Sequence, residues 1–208
     1  MTRYPEAVQL ASEVRDARVR EAFARVDRRR FVPQGYQSSA WADHPLPLSA
    51  TATLSQPSLV AQMTEWLELD PTHRVLEIGT GSGYHSAILA ELADAVYTIE
   101  YDAALARVAQ QRLTALGYRN IQFQTGDGAE GWPQAAPFDR IIASVAFPER
   151  PTRLLEQLCL EGLALIPVGP ADRLQRLLRY QRLQQGVESR ELTGVVFVSL
   201  QSPKVRRR

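Results

Sequence analysis

The clearest chemical pattern in the sequence is a glycine-rich turn that follows a short apolar run. Glycine recurs at every second position of Gly79-Thr80-Gly81-Ser82-Gly83, and an apolar, helix-like stretch comes next. Glycine allows a tight backbone turn and a close approach to a bound molecule. The first N–H groups of a helix have no partner inside that helix and are free to meet a polar ligand. The pattern predicts that Gly79, Thr80, Gly81, Ser82 and Gly83 bind a cofactor.

Two later apolar runs end in residues that suit the adenosine part of such a cofactor. Glu100 ends the run after the turn, where a carboxylate accepts hydrogen bonds from both hydroxyls of a ribose. Tyr101 follows, placed either to stack on an adenine ring or to pack against the protein. The next run ends in Gly126-Asp127-Gly128. We expect Asp127 to accept a hydrogen bond from the adenine amine and Gly128 to let the ring approach.

The glycine spacing excludes two common nucleotide-binding patterns. A dinucleotide-binding GxGxxG pattern needs glycine where Tyr84 stands, and the sequence has no GK[ST] phosphate-binding loop. The observed GxGxG, with the acidic Glu77 just before it, resembles motif I of the class I S-adenosyl-L-methionine methyltransferases. That cofactor has no pyrophosphate for the turn to cradle, and Glu77 suits its cationic amino group. The resemblance therefore implies S-adenosyl-L-methionine as the cofactor.

Composition excludes several other classes of protein. The 208 residues are 45% hydrophobic and 23% charged with a net charge of +1, so no basic field indicates nucleic acid. The single cysteine, Cys159, and the scattered histidines predict no metal site; we expect Cys159, on a helix, and His85 to have packing roles.

The sequence shows neither a membrane span nor a secretory signal, which favours a cytoplasmic protein. We predict a monomer with no nucleic-acid or membrane partner.

The elements that position these residues alternate between strand-like and helix-like segments. Such alternation is typical of parallel βαβ units. We predict one domain of the α/β class, with a doubly wound Rossmann-like methyltransferase sheet, an N-terminal helical extension and C-terminal antiparallel strands. Strands are expected at 74–79, 95–100, 121–127, 138–146 and 163–169, and helices directly after residue 83, at 103–116 and at 152–159.

The N-terminal part of the chain differs from this core. Residues 1–53 are predicted to form an extension that is helical over 6–30 and irregular over 31–53. The cofactor-binding core is assigned to residues 54–170. It is expected to begin with a helix near Pro57.

The C-terminal part, residues 171–208, is assigned to strands and a basic tail. Segments 174–183 and 193–200 look like paired strands, although the first also has helical spacing. The basic end, residues 203–208, is predicted to be a solvated terminus rather than a nucleic-acid arm.

Segments outside the glycine turn carry a more specific pattern. LSQPSLVAQMTEWL occupies 54–67, GDGAEGWPQAAPFDRIIASVA occupies 126–146, and LLEQLCLEGLALIPVG occupies 154–169. The order and the residues of these segments resemble those of the protein-L-isoaspartate O-methyltransferase family. The resemblance implies methyl transfer from S-adenosyl-L-methionine to the α-carboxylate of L-isoaspartyl residues in damaged proteins or peptides, a repair reaction. It also implies an altered order of the last strands of the sheet.

The resemblance places the active-site serine of the family on Ser55. A serine hydroxyl is able to donate a hydrogen bond to the acceptor carboxylate and hold it near the methyl group. A carboxylate is already ionised at neutral pH, so the reaction needs no strong base. From its position alone, Ser55 also suits the N-cap of the helix that begins near Pro57. We expect Thr53, Leu54 and Val198 to line the acceptor cleft.

A departure from the family keeps other functions open. The family has a glycine-glutamine-threonine run before the SQP segment, where this chain has Ala50-Thr51-Ala52-Thr53. The departure is compatible with a related carboxylate methyltransferase that acts on a biosynthetic peptide or another acid. A non-catalytic module that binds the cofactor or a partner is the third alternative. The intact glycine turn and the presence of Glu100, Asp127 and Ser55 disfavour that alternative.

Overall fold

The elements of the protein are taken from a computed structural model that describes residues 4–171 and 173–203. The described residues form nine strands and six α-helices. The strands are β1 (Leu46–Pro47), β2 (Thr53–Leu54), β3 (Arg74–Ile78), β4 (Ala95–Glu100), β5 (Ile121–Thr125), β6 (Phe138–Ala143), β7 (Leu158–Val168), β8 (Gln175–Leu183) and β9 (Gly186–Val195). The helices are α1 (Pro5–Leu10), α2 (Ala17–Arg25), α3 (Pro57–Trp66), α4 (Tyr84–Ala90), α5 (Ala103–Ala115) and α6 (Thr152–Leu155).

A seven-stranded sheet holds these elements together in the order β5-β4-β3-β6-β7-β8-β9. Neighbours from β5 to β7 pair in parallel, whereas β8 is antiparallel to both β7 and β9. The strand order reverses at β3, which lies between β4 and β6. In open α/β sheets, ligands bind at the carboxyl ends of the strands beside such a reversal. The predicted fold class, including the antiparallel C-terminal strands, is confirmed.

Apolar layers cover both faces of the sheet. Along β3, Val75 joins the cluster that includes residues of α2, α3 and α4, whereas Leu76 and Ile78 join the cluster on the opposite face. All three side chains are almost completely buried. Strands that are buried on both faces need apolar residues at nearly every position, which explains why they were visible as continuous apolar runs.

The N-terminal extension contains shorter helices than the sequence predicted. The expected helix over 6–30 is wrong as a single element, because α1 and α2 are separate and a 3-10 turn, Arg28–Phe31, follows them. Two aspartates cap the start of the elements that follow the breaks. Asp16 accepts a hydrogen bond from the N–H of Arg18 at 2.8 Å, and Asp27 accepts from the N–H of Arg29 at 3.1 Å. Such N-caps end the preceding segment although the apolar spacing continues.

The predicted helix over 152–159 is also too long. α6 ends at Leu155, and β7 begins at Leu158, which pairs with Phe138 of β6. Cys159 therefore lies on a strand and not on a helix, with its Sγ 3.5 Å from Oδ1 of Asp139. Pairing with β6 outweighs the helical spacing in this segment, as tertiary context commonly does.

The C-terminal strands form a hairpin whose second strand was misplaced by the sequence analysis. β8 covers almost all of the predicted 174–183, but β9 begins at Gly186 and ends at Val195. The chain then leaves the hairpin and returns to the residues after β6. There the N–H of Ala146 donates to the carbonyl of Val198 at 2.8 Å, and the N–H of Leu200 donates to the carbonyl of Ala146 at 2.9 Å. Residues 204–208 of the predicted basic terminus lie outside the described residues.

Candidate active site

A cavity lies at the carboxyl ends of β3, β4 and β6, where the strand order reverses. Most of the residues that the sequence predicted for the site line it. They are Thr53, Leu54, Ser55, Gly79, Thr80, Gly81, Ser82, Glu100, Tyr101, Gly128 and Val198. Glu77, Gly83 and Asp127 are not among the lining residues. Three parts of the chain thus meet here: the segment before α3, the strand ends, and the segment after β9.

The glycine turn and Glu100 are bonded to each other. Oε2 of Glu100 accepts a hydrogen bond from the N–H of Gly81 at 2.8 Å, and Oε1 accepts from the N–H of Asp102 at 3.1 Å. Gly79 and Gly81 have φ angles of 91° and 54°, a region that residues with a Cβ rarely adopt. The turn therefore needs these glycines, and Glu100 is fixed at the edge of the cavity.

Glu77 lies behind the turn and is fully buried. Its Oε2 accepts hydrogen bonds from the hydroxyls of Ser86 and Thr98, the second at 2.7 Å. The Thr98 hydroxyl has a single proton, which it gives to Glu77, so the Thr80 hydroxyl at 2.6 Å donates to Thr98. Thr80 lines the cavity, and its hydroxyl oxygen keeps lone pairs that are able to accept a hydrogen bond. Oε1 of Glu77 has no partner among the described residues.

Two buried groups near the turn affect the pH dependence of stability in opposite directions. Burial raises the pKa of Glu77 to about 7, although its hydrogen bonds from Ser86 and Thr98 oppose the shift. The stability that its bound proton contributes is complete below pH 4.5, the ordinary pKa, and is lost as the pH rises through 7. Burial lowers the pKa of His85 to about 4. Its contribution is complete above pH 6.5 and is lost as the pH falls through 4.

We expect Glu77→Gln to change the pH dependence of stability, because the opposing contribution of His85 is then no longer offset by that of Glu77. The substitution removes a contribution that decreases with pH, so the free energy of unfolding of the variant should rise more steeply between pH 4.5 and 7 than that of the wild type. Urea unfolding at several pH values in this window measures the difference. Parallel curves for the two proteins would contradict the raised pKa of Glu77.

Asp127 is held by protein groups next to the cavity. Its Oδ1 accepts from the N–H of Ala129 at 2.9 Å, and its Oδ2 accepts from the hydroxyl of Ser202 at 2.6 Å. Gly128 itself lines the cavity and packs against β3, where a Cβ added to it would lie 2.5 Å from Cγ2 of Ile78. The turn after β5 therefore approaches β3 as closely as its backbone allows.

We expect Gly128→Ala to destabilise the protein by about 2 kcal/mol, because overpacking of a filled core costs about 1–3 kcal/mol. Ile78 is buried and β-branched, so its side chain has little freedom to move away. Gly126→Ala is the matched control in the same turn, since its Cβ would meet only the Gln124 side chain, at 3.4 Å. Thermal unfolding of both variants measures the effect, and equal losses would contradict the close packing of Gly128.

Ser55 lies in the short segment between β2 and α3. The N-cap of α3 is Gln56, so the alternative prediction that Ser55 is the cap residue is wrong. Asp43 fills part of that role: its Oδ1 accepts from the N–H of Ser58 and its Oδ2 from Nε2 of Gln56, both at 3.1 Å. Burial opposes ionisation of Asp43, but the hydrogen bonds from Ser58 and Gln56 outweigh it and lower its pKa.

A second cavity adjoins the first, and Thr53 and Ser55 line both. Its walls come from the start of α3, from Leu174, and from residues 193–197 at the end of β9 and beyond. The described lining residues of this cavity carry no charge. We call the first cavity the cofactor-side cavity and the second, which is open and uncharged, the groove. Ser55 therefore lies where the cofactor-side cavity meets the groove.

Sequence reasoning missed some residues of the site. Ser144 and Val145 follow β6, and the rule that ligands meet the carboxyl ends of strands, which identified Glu100, also applies to them. Residues 199–201 line the cavity because their segment returns to Ala146 after β9. The sequence contains no local signal for that long-range contact.

The charges of the first cavity discriminate between possible cofactors. Glu100 and Asp102 line it, and no lysine or arginine is among its described lining residues. A phosphate-bearing nucleotide would find two carboxylates and no cation there. A cofactor with a sulfonium and an ammonium group fits this charge better, since opposite charges attract. The side chains of the described ranges form no cluster placed to hold a metal ion, and none of the described helices has the length and apolarity of a membrane span.

The sheet order and the charge of the cavity are those expected of an S-adenosyl-L-methionine-dependent methyltransferase. A family model described as "Protein-L-isoaspartate(D-aspartate) O-methyltransferase" matches residues 7–205. The chain belongs to this family.

Named relatives and a solved structure agree with this membership. The chain is 47% identical to "Protein-L-isoaspartate O-methyltransferase 2" of Pelobacter propionicus, over 90% of this chain and 84% of that one. It is 50% identical to the "Protein-L-isoaspartate O-methyltransferase" of Myxococcus xanthus, over 89% and 87%. A solved protein-L-isoaspartate O-methyltransferase, 27% identical, superposes with a TM-score of 0.88 over 96% of this chain and 66% of that chain.

Proposed function

We propose that the chain transfers a methyl group from S-adenosyl-L-methionine to the α-carboxylate of L-isoaspartyl residues in damaged proteins and peptides. The observation that carries this function is the position of Ser55, which lines both the cofactor-side cavity and the uncharged groove. A donor at this junction is placed to hold an acceptor carboxylate beside a bound cofactor. The relatives that are 46–50% identical carry this activity in their names.

Residues at three strand ends would hold the cofactor. Glu100 would accept from the ribose hydroxyls, and the half-exposed Tyr101 ring would stack on the adenine. Gly128 would lie against the ring. Asp127 would accept from the adenine amine, because a carboxylate has about four lone-pair sites and hydrogen bonds within the protein already use two of them.

The amino group of the cofactor would meet Thr80 rather than Glu77. Thr80 lines the cavity and keeps acceptor lone pairs, because its proton is given to Thr98. Thr98 in turn donates to Glu77, which lies outside the cavity lining. We propose that Glu77 acts on the amino group indirectly, by orienting these two hydroxyls.

The reaction places few chemical demands on the protein. When bound, S-adenosyl-L-methionine supplies an electrophilic methyl group whose bond to sulfur breaks as a bond to the carboxylate oxygen forms. No proton is transferred, so the protein has to align the two reactants and exclude water. Ser55 would donate to the acceptor carboxylate. His85 lines the cavity, but it hydrogen-bonds Thr64 at 3.1 Å and burial lowers its pKa to about 4, so we assign it no acid–base role.

The groove would hold the peptide around the isoaspartyl residue. Thr53, which lines both the groove and the cofactor-side cavity, would border the acceptor position together with Leu54 and Val198 of that cavity. The carbonyl of Val198 already accepts a hydrogen bond from the N–H of Ala146. The segment that departs from the family pattern, residues 50–53, lies in the β1–β2 hairpin, and residues 51–53 of it line the cofactor-side cavity. We retain a biosynthetic peptide or another acid as the alternative acceptor because of this segment.

Labelled methyl transfer to two matched peptides tests the proposal. One peptide contains L-isoaspartate and the other contains normal aspartate at the same position. Base-labile label on the isoaspartyl peptide alone supports the proposed function. Label on neither peptide, with S-adenosyl-L-homocysteine binding intact, would favour the alternative acceptor. If no carboxylic acid that is tested becomes labelled, the result would favour the non-catalytic module.

We further propose that the protein acts as a cytoplasmic monomer without nucleic-acid or membrane partners. Its near-neutral net charge of +1 provides no general attraction to polyanions. Light scattering during size-exclusion chromatography tests the monomer, and a dimer mass would contradict it.

A further inference from the structure

A buried arginine links the N-terminal extension to the serine segment. Arg28 is fully buried, and its Nε donates to the carbonyl of Ala40 at 2.7 Å. Its Nη2 donates to the carbonyl of Ser55 at 2.8 Å. Its guanidinium also lies over the ring of Tyr84, 4.9 Å from the centroid. One side chain thus contacts the extension, the proposed catalytic serine and the first residue of α4.

The environment of Arg28 is unusual for a residue that only fills space. The described residues give it no ion pair, although Asp43 is near enough to attract it. Its Nη1 and the hydroxyl of Tyr84 make no well-formed hydrogen bond among them, although the two side chains attract each other. A buried charge without an ionic partner is costly, and an apolar side chain would fill the same space without that cost but would leave the carbonyls of Ala40 and Ser55 without this donor. The arginine therefore has a reason to be here that lies in its hydrogen bonds and not in filling space.

The contact with Ser55 provides that reason. The Ser55 carbonyl belongs to a planar peptide group, so a fixed carbonyl restricts the backbone on both sides of it. The direction of the Ser55 side chain depends on that backbone. Asp43 fixes the following residues through Ser58, and Arg28 holds the serine itself through its carbonyl.

We propose that Arg28 is a positioning residue for methyl transfer, which holds the Ser55 carbonyl so that the serine hydroxyl points at the acceptor carboxylate. The contact with Tyr84 ties this segment to the helix that follows the glycine turn, so that acceptor and cofactor sites keep a constant separation. The inference rests on the proposed role of Ser55. It adds a residue outside the lining of both cavities to the machinery of the reaction.

A double-mutant cycle with Arg28→Lys and Ser55→Ala tests the proposal. A lysine keeps the charge but has a single nitrogen, so it cannot hold both carbonyls in the fork geometry of a guanidinium. We expect Arg28→Lys to lower kcat for the isoaspartyl peptide about tenfold and to change the affinity for S-adenosyl-L-homocysteine less than about twofold. In the Ser55→Ala background, Arg28→Lys should lower kcat by less than about twofold, because there is no hydroxyl left to position.

A control variant separates positioning from general destabilisation. Arg140 is a half-buried arginine that donates to the carbonyls of Leu67 and Glu68, away from both cavities. Arg140→Lys should lower the melting temperature and leave kcat unchanged. If Arg28→Lys does not fold, Arg28→Gln, which keeps donors without the charge, takes its place in the same cycle.

The outcomes distinguish this inference from the function on which it rests. Independent effects of Arg28→Lys and Ser55→Ala, multiplying in the double variant, would overturn the positioning role while Ser55 keeps its own. A kcat loss for Arg28→Lys no larger than for Arg140→Lys would also overturn it. If Ser55→Ala alone leaves kcat unchanged, the proposed role of Ser55 fails, and the inference fails with it.

Discussion

Glu100→Ala is expected to lower the affinity for S-adenosyl-L-homocysteine, the cofactor after methyl transfer, by at least about 100-fold. A hydrogen bond to a charged group contributes about 1.5–3 kcal/mol, and the proposed pair of bonds to the ribose is lost together. The variant also frees the N–H of Gly81, which Glu100 holds at 2.8 Å, so the glycine turn loses a support. Isothermal titration with S-adenosyl-L-homocysteine measures the loss.

Glu91→Ala is the matched control for this experiment. Glu91 also accepts a hydrogen bond, from the hydroxyl of Tyr118 at 3.1 Å, and pairs with Arg25, but it is not among the cavity residues. We expect Glu91→Ala to bind S-adenosyl-L-homocysteine with the same affinity as the wild type. Equal affinity of the wild type and Glu100→Ala would contradict the ribose-binding role.

Ser55→Ala is expected to lower kcat about 30-fold and to leave cofactor binding unchanged. The substitution removes one donor to an ionised carboxylate, which is worth about 2 kcal/mol in the transition state. The carboxylate needs no proton removed, so the loss should stay constant with pH above the acceptor's own pKa. Steady-state methyl transfer to an isoaspartyl peptide between pH 6 and pH 8 measures it.

Ser49→Ala is the corresponding control for Ser55. The Ser49 hydroxyl accepts from the N–H of Thr51 at 3.2 Å within the same N-terminal segment, and it lines neither cavity. Its kcat should equal that of the wild type. If both serine variants lose the same activity, the effect belongs to the segment as a whole and not to the Ser55 hydroxyl.

The sequence predicted most of the residues that meet at the first cavity, and there is a physical reason for this. Glycine spacing and the polar residues at strand ends are local patterns, and a parallel sheet brings strand ends to one edge. Glu100 and Gly81 were therefore identified individually, and the structure adds their direct hydrogen bond. Asp127 was placed in the cavity by the same rule, but the structure sets it beside the lining, where Ser202 occupies one of its oxygens.

Long-range contacts were beyond the sequence analysis. Nothing in the apolar spacing of residues 6–30 distinguishes Arg28 from the exposed arginines around it, because burial is decided by Ala40 and Ser55, far along the chain. The same spacing concealed the break between α1 and α2, which depends on the side chain of Asp16. Element types followed from local pattern, whereas boundaries depended on single caps and on strand partners.

The return of the chain after β9 has a consequence for protein synthesis. Residues 198–201 form one wall of the cavity, yet the ribosome makes them after every strand of the sheet. Domains begin to fold while the chain is still being made. Until residues 198–201 have left the ribosome, the cavity therefore lacks the lining that they provide. The complete cofactor cavity is expected to form only after these residues emerge, even though every strand of the sheet precedes them in the chain.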